Sequence, residues 1–152
     1  MKNIVISPFS RKLRSGERNA KNYPHWNTLV KTLRNRGDKV VQIGVEDEEE
    51  IGAEFFYKSL TLDSLKTLIE SFDLWISVDN FMNHFGAWIG KKGIVIFSKS
   101  DPNIFGYENN INLLKNKRYL REKQFELWEN EAFEQKAFVF PQEVIKAIDN
   151  NF

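Results

Sequence analysis

A cluster of basic side chains near the N-terminus is the first feature that could do chemistry. Five cations occur within eleven positions, and only Glu17 opposes them there. The loop that carries them follows a short β-branched run, residues 4–6, so they would stand at the end of a strand and attract an anion. Lys21 lies directly before Tyr23-Pro24, where a helix is expected to begin, so we predict that it contacts a ligand phosphate. For the others, a solvated loop is the structural alternative. The five cations are Arg11, Lys12, Arg14, Arg18 and Lys21.

A second candidate is the sequence SVDNFMNH, residues 77–84, which joins an apolar run to a helical pattern. Asp79 stands at the tip of the expected strand. The first backbone N–H groups of the following helix, from Asn80 to Asn83, would point into a cleft and suit a phosphate. The structural alternative is that Asp79 serves only as an N-cap and His84 as a partly buried helical residue.

Composition and missing motifs exclude several other chemistries. The chain has no cysteine and only two histidines, so thiolate and histidine-rich metal sites are not expected and we predict no metal cofactor. A net charge of +1 argues against a general nucleic-acid binder. No GxxxxGK[ST], GxGxxG or GxSxG motif is present, which argues against P-loop enzymes, Rossmann dehydrogenases and α/β-hydrolases. No signal peptide or membrane-spanning run is apparent, so we expect a cytoplasmic protein.

The elements that must position these residues alternate along the chain. Apolar strand patterns over 4–6, 40–43, 74–78 and 93–97, with a short one at 54–57, are separated by helical patterns that begin at Pro24, Thr61 and Asn80. Such alternation predicts a three-layer α/β/α, Rossmann-like fold with a parallel sheet of five or six strands. The length of 152 residues fits one domain. Ligands of such sheets bind beyond the carboxyl ends of the strands.

The pattern weakens after Pro102. Helices are expected at about 121–131 and at 141–149. The segment after Tyr107 should pack onto the domain, because its aromatic side chains are too apolar for a free tail, and it could also mediate self-association. These aromatic side chains are Trp128, Phe133, Phe138 and Phe140.

Taken together, the loops resemble the nucleotide-sugar-binding half of glycosyltransferase family 9, the ADP-heptose:lipopolysaccharide heptosyltransferases. The resemblance covers about residues 4–107 and lies in the order and spacing of several segments. It implies a fold like the C-terminal domain of a two-domain GT-B enzyme. The segments are ISPFS, KNYPHW, VVQIGVE, LTLDSLKTLI, SVDNFMNHFGAWIG and GIVIFSKSDP.

The resemblance implies roles for individual residues. Ser10 would lie near the donor phosphates and Lys21 would contact them. Glu46 would bind the nucleotide ribose and Leu60 would pack near the base. The diphosphate and the sugar would be wrapped by the motif that starts at Asp79, which comprises Asp79, Asn80, Phe81, Met82, Asn83 and His84. No catalytic residue is assigned.

Two differences from the family pattern bear on function. Phe81 replaces the motif's glycine, which permits close approach of the backbone to a phosphate, and Asn80 replaces a serine or threonine. In the family, the acceptor site lies in an N-terminal domain that we do not find in this sequence, so transfer is expected to need a partner chain or a dimer. The alternative is a non-catalytic binding module or a protein-interaction scaffold. A weaker third possibility is a nucleoside deoxyribosyltransferase, for which no nucleophilic carboxylate stands out.

Overall fold

Six strands form one parallel sheet in the computed structural model, which describes residues 1–152. The strands are β1 (Asn3–Ser7), β2 (Lys39–Gly44), β3 (Phe55–Lys58), β4 (Leu74–Val78), β5 (Gly93–Phe97) and β6 (Ile111–Leu114). Their order in the sheet is β3-β2-β1-β4-β5-β6, and every pair is parallel. The chain therefore builds outward in one direction from β1 and in the other from β4, which makes the β1–β4 boundary the switch point where ligands of such sheets bind.

Helices cover both faces of the sheet. They are α1 (Trp26–Asn35), α2 (Leu62–Ser71), α3 (Phe81–Ile89), the short α4 (Pro102–Phe105) and α5 (Pro141–Asn151). Side chains of α1 and α5 belong to one hydrophobic cluster, and side chains of α2 and α3 belong to another. In β1, Ile4 and Ile6 point into the first cluster and Val5 into the second, as the two-residue period of a strand requires. The predicted three-layer α/β/α fold is confirmed.

Local sequence signals fix the ends of the helices nearest the ligand edge. Thr61 caps α2 by accepting a hydrogen bond from the Ser64 backbone N–H at 3.2 Å. Asn80 caps α3 in the same way through the Met82 N–H at 2.9 Å, so the alternative that Asp79 serves only as the N-cap is wrong. Gly90 ends α3 in the left-handed region at φ 74°, where glycine has no steric penalty.

The region after β5 contains the main errors of the sequence analysis. The predicted helix at 121–131 is wrong, because only a three-residue 3-10 turn, Trp128–Asn130, forms there. The Arg121 guanidinium donates to the carbonyl oxygens of Glu126 and Leu127 and so draws the chain into a compact irregular loop. β6 and α4 were not predicted, because they are only four residues long and β6 is only half-buried. Helix α5 was predicted correctly.

The C-terminal segment packs back onto the sheet, as expected from its aromatic content. Phe138 is buried in the cluster beneath α1 and α5, and Phe133 packs against that cluster, while Phe140 remains half-exposed. The N-terminal boundary of α1 differs slightly from prediction, since the helix begins two residues after Pro24, with His25 as its cap. No helix has the length and apolar composition that crossing a bilayer would require.

Candidate functional site

A cavity of about 790 Å³ lies at the carboxyl ends of the strands. It is bounded by the loops after β1, β2, β3 and β4 and by residues 126–129 of the C-terminal segment. Its size is within the range of small-molecule sites in proteins. The cavity occupies the β1–β4 switch point, which is where the parallel topology places a ligand.

A buried ion pair stands at the switch point. Lys21 Nζ lies 3.7 Å from Asp79 Oδ2, and both side chains are largely shielded from solvent. Ser100 Oγ donates a 2.8 Å hydrogen bond to the same carboxylate oxygen, which fixes the carboxylate. Burial lowers the pKa of Lys21, and the positive charge of Arg121 adds to this effect, whereas Asp79 partly opposes it. A phosphate entering the cavity would meet a cation that is held in place and only partly solvated.

The loops after β1 and β4 are tied to each other by two polar side chains. Ser10 Oγ donates to the Asp79 carbonyl oxygen at 3.0 Å. The Asn80 amide nitrogen lies 3.1 Å from the Phe9 carbonyl oxygen and 3.2 Å from that of Ser7, while its oxygen caps α3. Asn80 therefore holds the N-terminus of α3 at the cavity, so that the positive end of the helix dipole is directed at a bound anion.

Two side chains of α3 form one wall of the cavity. Phe81, the first residue of the helix, is 54% exposed and stacks on Phe85 with ring centroids 5.2 Å apart. His84, one turn further along, is exposed, and its Nδ1 lies 2.8 Å from the Tyr107 hydroxyl. Both side chains line the cavity, as the sequence predicted. About half of the Phe81 side chain is in contact with solvent, so it is a wall residue that a ligand could contact.

The end of the cavity between β2 and α2 is apolar. Leu60 lines it as expected, and it is joined there by side chains from β2, β3 and α2, which are Ile43, Tyr57, Leu62 and Leu65. A flat aromatic base fits such a surface better than a phosphate does, because burial of apolar area is the main favourable term available there. The cavity thus has one apolar end and one cationic end.

Three of the predicted residues do not line the cavity with their side chains. Glu46 is exposed outside it, and Glu48, two residues later, lines it instead. Met82 is fully buried in the core, and the buried Asn83 amide donates to the Phe105 carbonyl oxygen at 2.9 Å. The helical period explains why Met82 and Asn83 are buried, because residues one and two positions after Phe81 face the sheet. Any ligand contact by these two must come from their backbone.

Glu48 has features that the acidic run in the sequence does not distinguish. Its carboxylate covers Gly44 at the end of β2 so closely that a Cβ atom at position 44 would collide with it. Burial raises the pKa of Glu48, and its Oε2 is buried without a hydrogen-bond partner. This oxygen faces Gly44 and not the cavity, so its burial accounts for the raised pKa of the carboxyl group.

The wall formed by residues 126–129 was missed by the sequence analysis. Arg121 is 7% exposed, and its guanidinium carbon lies 4.1 Å from the centre of the Trp128 ring. Its Nε lies 3.3 Å from Glu131 Oε2, an ion pair without hydrogen-bond alignment. Lys21 Nζ lies 4.9 Å from the same indole ring, so Trp128 links this wall to the buried ion pair. No periodic pattern in the sequence marks this irregular segment.

The basic loop after β1 contributes less to the cavity than its charge predicts. Arg11 and Lys12 line the cavity, but Lys12 is exposed and pairs with Asp47 at 2.8 Å. Arg14 does not line the cavity, and the guanidinium of Arg18 stacks over the Phe133 ring at 4.7 Å. Lys21 is thus the one predicted cation that the fold buries at the switch point.

Comparison with protein families matches residues 1–132 to the family described as glycosyltransferase family 9 (heptosyltransferase). The chain belongs to glycosyltransferase family 9. The matched region extends beyond residues 4–107, which carried the resemblance in the sequence, and includes Arg121 and Trp128. A search of curated proteins by sequence finds no match.

Solved structures of family 9 enzymes share this fold. The E. coli heptosyltransferase WaaC, solved with ADP, has a TM-score of 0.71 at 19% identity, and the match covers 99% of this chain and 44% of that chain. E. coli ADP-heptose lipopolysaccharide heptosyltransferase II has a TM-score of 0.72 at 18% identity, covering 98% and 46%. A family 9 glycosyltransferase from Veillonella parvula has a TM-score of 0.71 at 18% identity, covering 98% and 45%. The chain therefore spans less than half the length of the structures it matches.

Proposed function

We propose that this chain binds a nucleotide diphosphate sugar in the cavity at the carboxyl edge of the sheet and acts in glycosyl transfer, as a heptosyltransferase-like donor domain. The observation that carries the proposal is the Lys21–Asp79 pair beside the N-terminus of α3, at the switch point of a family 9 fold. A buried ammonium and a helix N-terminus both favour a phosphate. That WaaC was solved with ADP supports a nucleotide as the ligand.

The two ends of the cavity suit the two ends of such a ligand. The base would lie against Leu60 and its apolar neighbours, and the diphosphate would lie between Lys21 and the N-terminus of α3. The ribose would then lie near the end of β2, where an acidic side chain commonly accepts hydrogen bonds from ribose hydroxyls. We assign this role to Glu48 rather than to Glu46, because Glu48 lines the cavity and Glu46 lies outside it.

Transfer itself requires more than this cavity. A glycosyl acceptor must be held against the donor and water must be excluded. We propose that surface outside this domain, in a homodimer or a partner chain, supplies the acceptor wall. The proposal needs no metal ion, and it places the protein in the cytoplasm, the compartment that contains nucleotide sugars.

Titration calorimetry with ADP, UDP, GDP and their sugar conjugates tests the donor site. We expect one of them to bind, and Lys21→Ala to weaken its binding by about tenfold to a hundredfold, since a hydrogen bond to a charged group contributes about 1.5–3 kcal/mol. The matched control is Lys31→Ala, an exposed lysine on α1 that lies outside the cavity, which should leave the affinity unchanged. If no nucleotide binds at millimolar concentration, the donor-site proposal fails.

A second candidate function is a non-catalytic binding module or scaffold derived from a glycosyltransferase. The specific observation in its favour is Phe81, whose exposed ring lines the cavity at the position where the family motif has glycine. The variant Phe81→Gly distinguishes a working donor site from a site that has diverged from the family. If the ring only narrows a working site, nucleotide-sugar affinity should stay the same or increase, as measured by calorimetry. If the affinity falls, the ring is itself part of the binding surface and the site has diverged from the family pattern.

A further inference from the structure

A second cavity of about 780 Å³ adjoins the first along the outer side of α3. The two cavities share His84, which lines both of them. One wall of this second cavity is the outer face of α3, and the other is the connection from Tyr107 to Asn110 that leads into β6. We call it the α3 groove. Nothing in the proposed function uses it.

Small residues of α3 line the α3 groove. Ala87 and Gly90 leave room there, and a Cβ atom added at Gly90 would meet open space, whereas Gly86 is buried and makes room for the Trp75 ring on the inner side of the helix. The turn that follows is held in place, since the buried Trp75 indole N–H donates to the Lys91 carbonyl oxygen at 2.7 Å. The groove is therefore a formed feature of the fold and not a gap between mobile side chains.

Its lining combines an aromatic platform with hydrogen-bonding amides. Trp88 is 74% exposed and has no polar role in the fold, and Tyr107 stands on the opposite wall. Asn110 is 7% exposed, and its Oδ1 accepts from the Gly93 N–H at 3.2 Å while its Nδ2 has no partner. An exposed indole face attracts the C–H groups of a sugar ring, and the exposed amide of Asn109, which also lines the groove, can hydrogen-bond a sugar hydroxyl.

The charge of the groove favours an anion. Lys91 and Lys92 line it, against the single carboxylate of Glu108. Lys92 also lies over the Phe152 ring at 5.2 Å, whereas Lys91 forms no ion pair. A lysine ammonium without a partner at the end of a groove lined with an indole and amides suits a phosphate attached to the sugar.

We propose that the α3 groove binds a phosphorylated carbohydrate, with the sugar ring against Trp88 and the phosphate beside Lys91. The binding does not depend on the proposed donor site, although the two ligands would be neighbours across His84. The chain would then bind ligands of two classes, a nucleotide sugar and a phosphorylated carbohydrate. The residues that carry the proposal are Trp88, Tyr107, Asn109 and Lys91.

Glucose 6-phosphate is a suitable probe, observed through the tryptophan indole N–H signals in NMR. The chain has four tryptophans, and Trp88→Phe identifies the signal of Trp88 by its loss. We expect glucose 6-phosphate to shift the Trp88 signal, and the Trp75 signal through its bond to Lys91. Glucose alone and inorganic phosphate alone should each bind at least about tenfold more weakly, if ring and phosphate both contribute.

Variants locate the site. Trp88→Ala should weaken glucose 6-phosphate binding about tenfold or more, and Lys91→Gln should reduce it to the affinity of glucose. Neither substitution removes a backbone hydrogen bond, and circular dichroism shows whether each variant keeps its fold. Lys21→Ala should leave glucose 6-phosphate binding unchanged, because Lys21 lines the first cavity and not the α3 groove, and this separates the two sites. An unmoved Trp88 signal at 50 mM probe would overturn the proposal, as would binding that Lys21→Ala abolishes and Trp88→Ala does not affect.

Discussion

Two groups of cations lie near the cavity at the carboxyl ends of the strands, and they differ in their exposure to solvent. Arg11, Lys12, Arg14 and Arg18 form a dense group in the loop after β1, but they are exposed, and Lys12 forms a surface ion pair. Lys21, the last cation of the same stretch, and Arg121 lie instead beside Trp128, where the fold buries the arginine and shields most of the lysine side chain from solvent. Exposed ion pairs contribute little because water screens them, whereas buried ones are strongly coupled to their surroundings. Burial, more than local charge density, therefore determines which cations matter.

Removing the buried arginine should have the largest effect. Arg121→Ala deletes two hydrogen bonds to carbonyl oxygens, the contact with Glu131 and the stacking on Trp128. We expect a loss of about 3 kcal/mol in the free energy of unfolding, since breaking a buried pair leaves its partners unsatisfied. Urea denaturation measures this loss. Arg118→Ala, at an exposed arginine three residues earlier, is the control and should be nearly neutral. Equal stability of the two variants would contradict the distinction between buried and exposed cations.

The same contrast explains how far the sequence could predict the molecule. The parallel sheet, its helices and the caps at Thr61 and Asn80 follow from local patterns, since hydrophobic periodicity and capping depend on neighbouring residues. Residues at strand ends could be assigned to the cavity for the same reason, as Lys21 and Asp79 were. Glu48 could not be distinguished from Glu46, because the path of the loop decides which carboxylate turns inward.

The wall at residues 126–129 lay beyond prediction for a different physical reason. Its shape depends on Arg121 binding the carbonyl oxygens of Glu126 and Leu127, and on Lys99, which follows β5, pairing with Glu131 at 3.6 Å and with Glu134. These are side-chain contacts of an irregular segment and leave no period in the sequence. The helix predicted there failed because local propensity was overridden by these contacts.

A pH titration of ligand affinity should separate Lys21 from an ordinary exposed lysine. Burial lowers the pKa of Lys21 below its usual value of 10.5, so its ammonium loses a proton at lower pH than an exposed lysine does. We expect the affinity for the bound nucleotide to fall as pH rises through that lowered pKa. Lys21→Arg should remove this fall, because a guanidinium stays charged. An identical profile for both proteins would show that Lys21 does not provide the charge that the phosphate meets.

The same shift affects stability in the opposite direction. In the pH range between the lowered pKa of folded Lys21 and 10.5, the unfolded chain binds more protons at this position than the folded chain. The contribution of Lys21 to the free energy of unfolding therefore rises with pH across that range. Urea denaturation at several pH values, compared with Lys21→Arg, measures it.

Removing an exposed cation should have the smallest effect. Lys12 lines the cavity, but it is exposed and is held only by the exposed carboxylate of Asp47. Lys12→Ala should leave the midpoint of urea denaturation unchanged within error and should weaken nucleotide binding by less than about fivefold, the range of an exposed charge interaction. That limited loss should disappear at high salt, where exposed charges are screened. One local signature should still be visible, because Lys12 holds the pKa of Asp47 below its usual value of 3.8, and NMR titration should show this pKa return towards 3.8 in the variant. If Lys12→Ala instead weakens binding as strongly as Lys21→Ala does, the exposed loop closes over the ligand and the distinction between exposed and buried cations does not hold for the bound state.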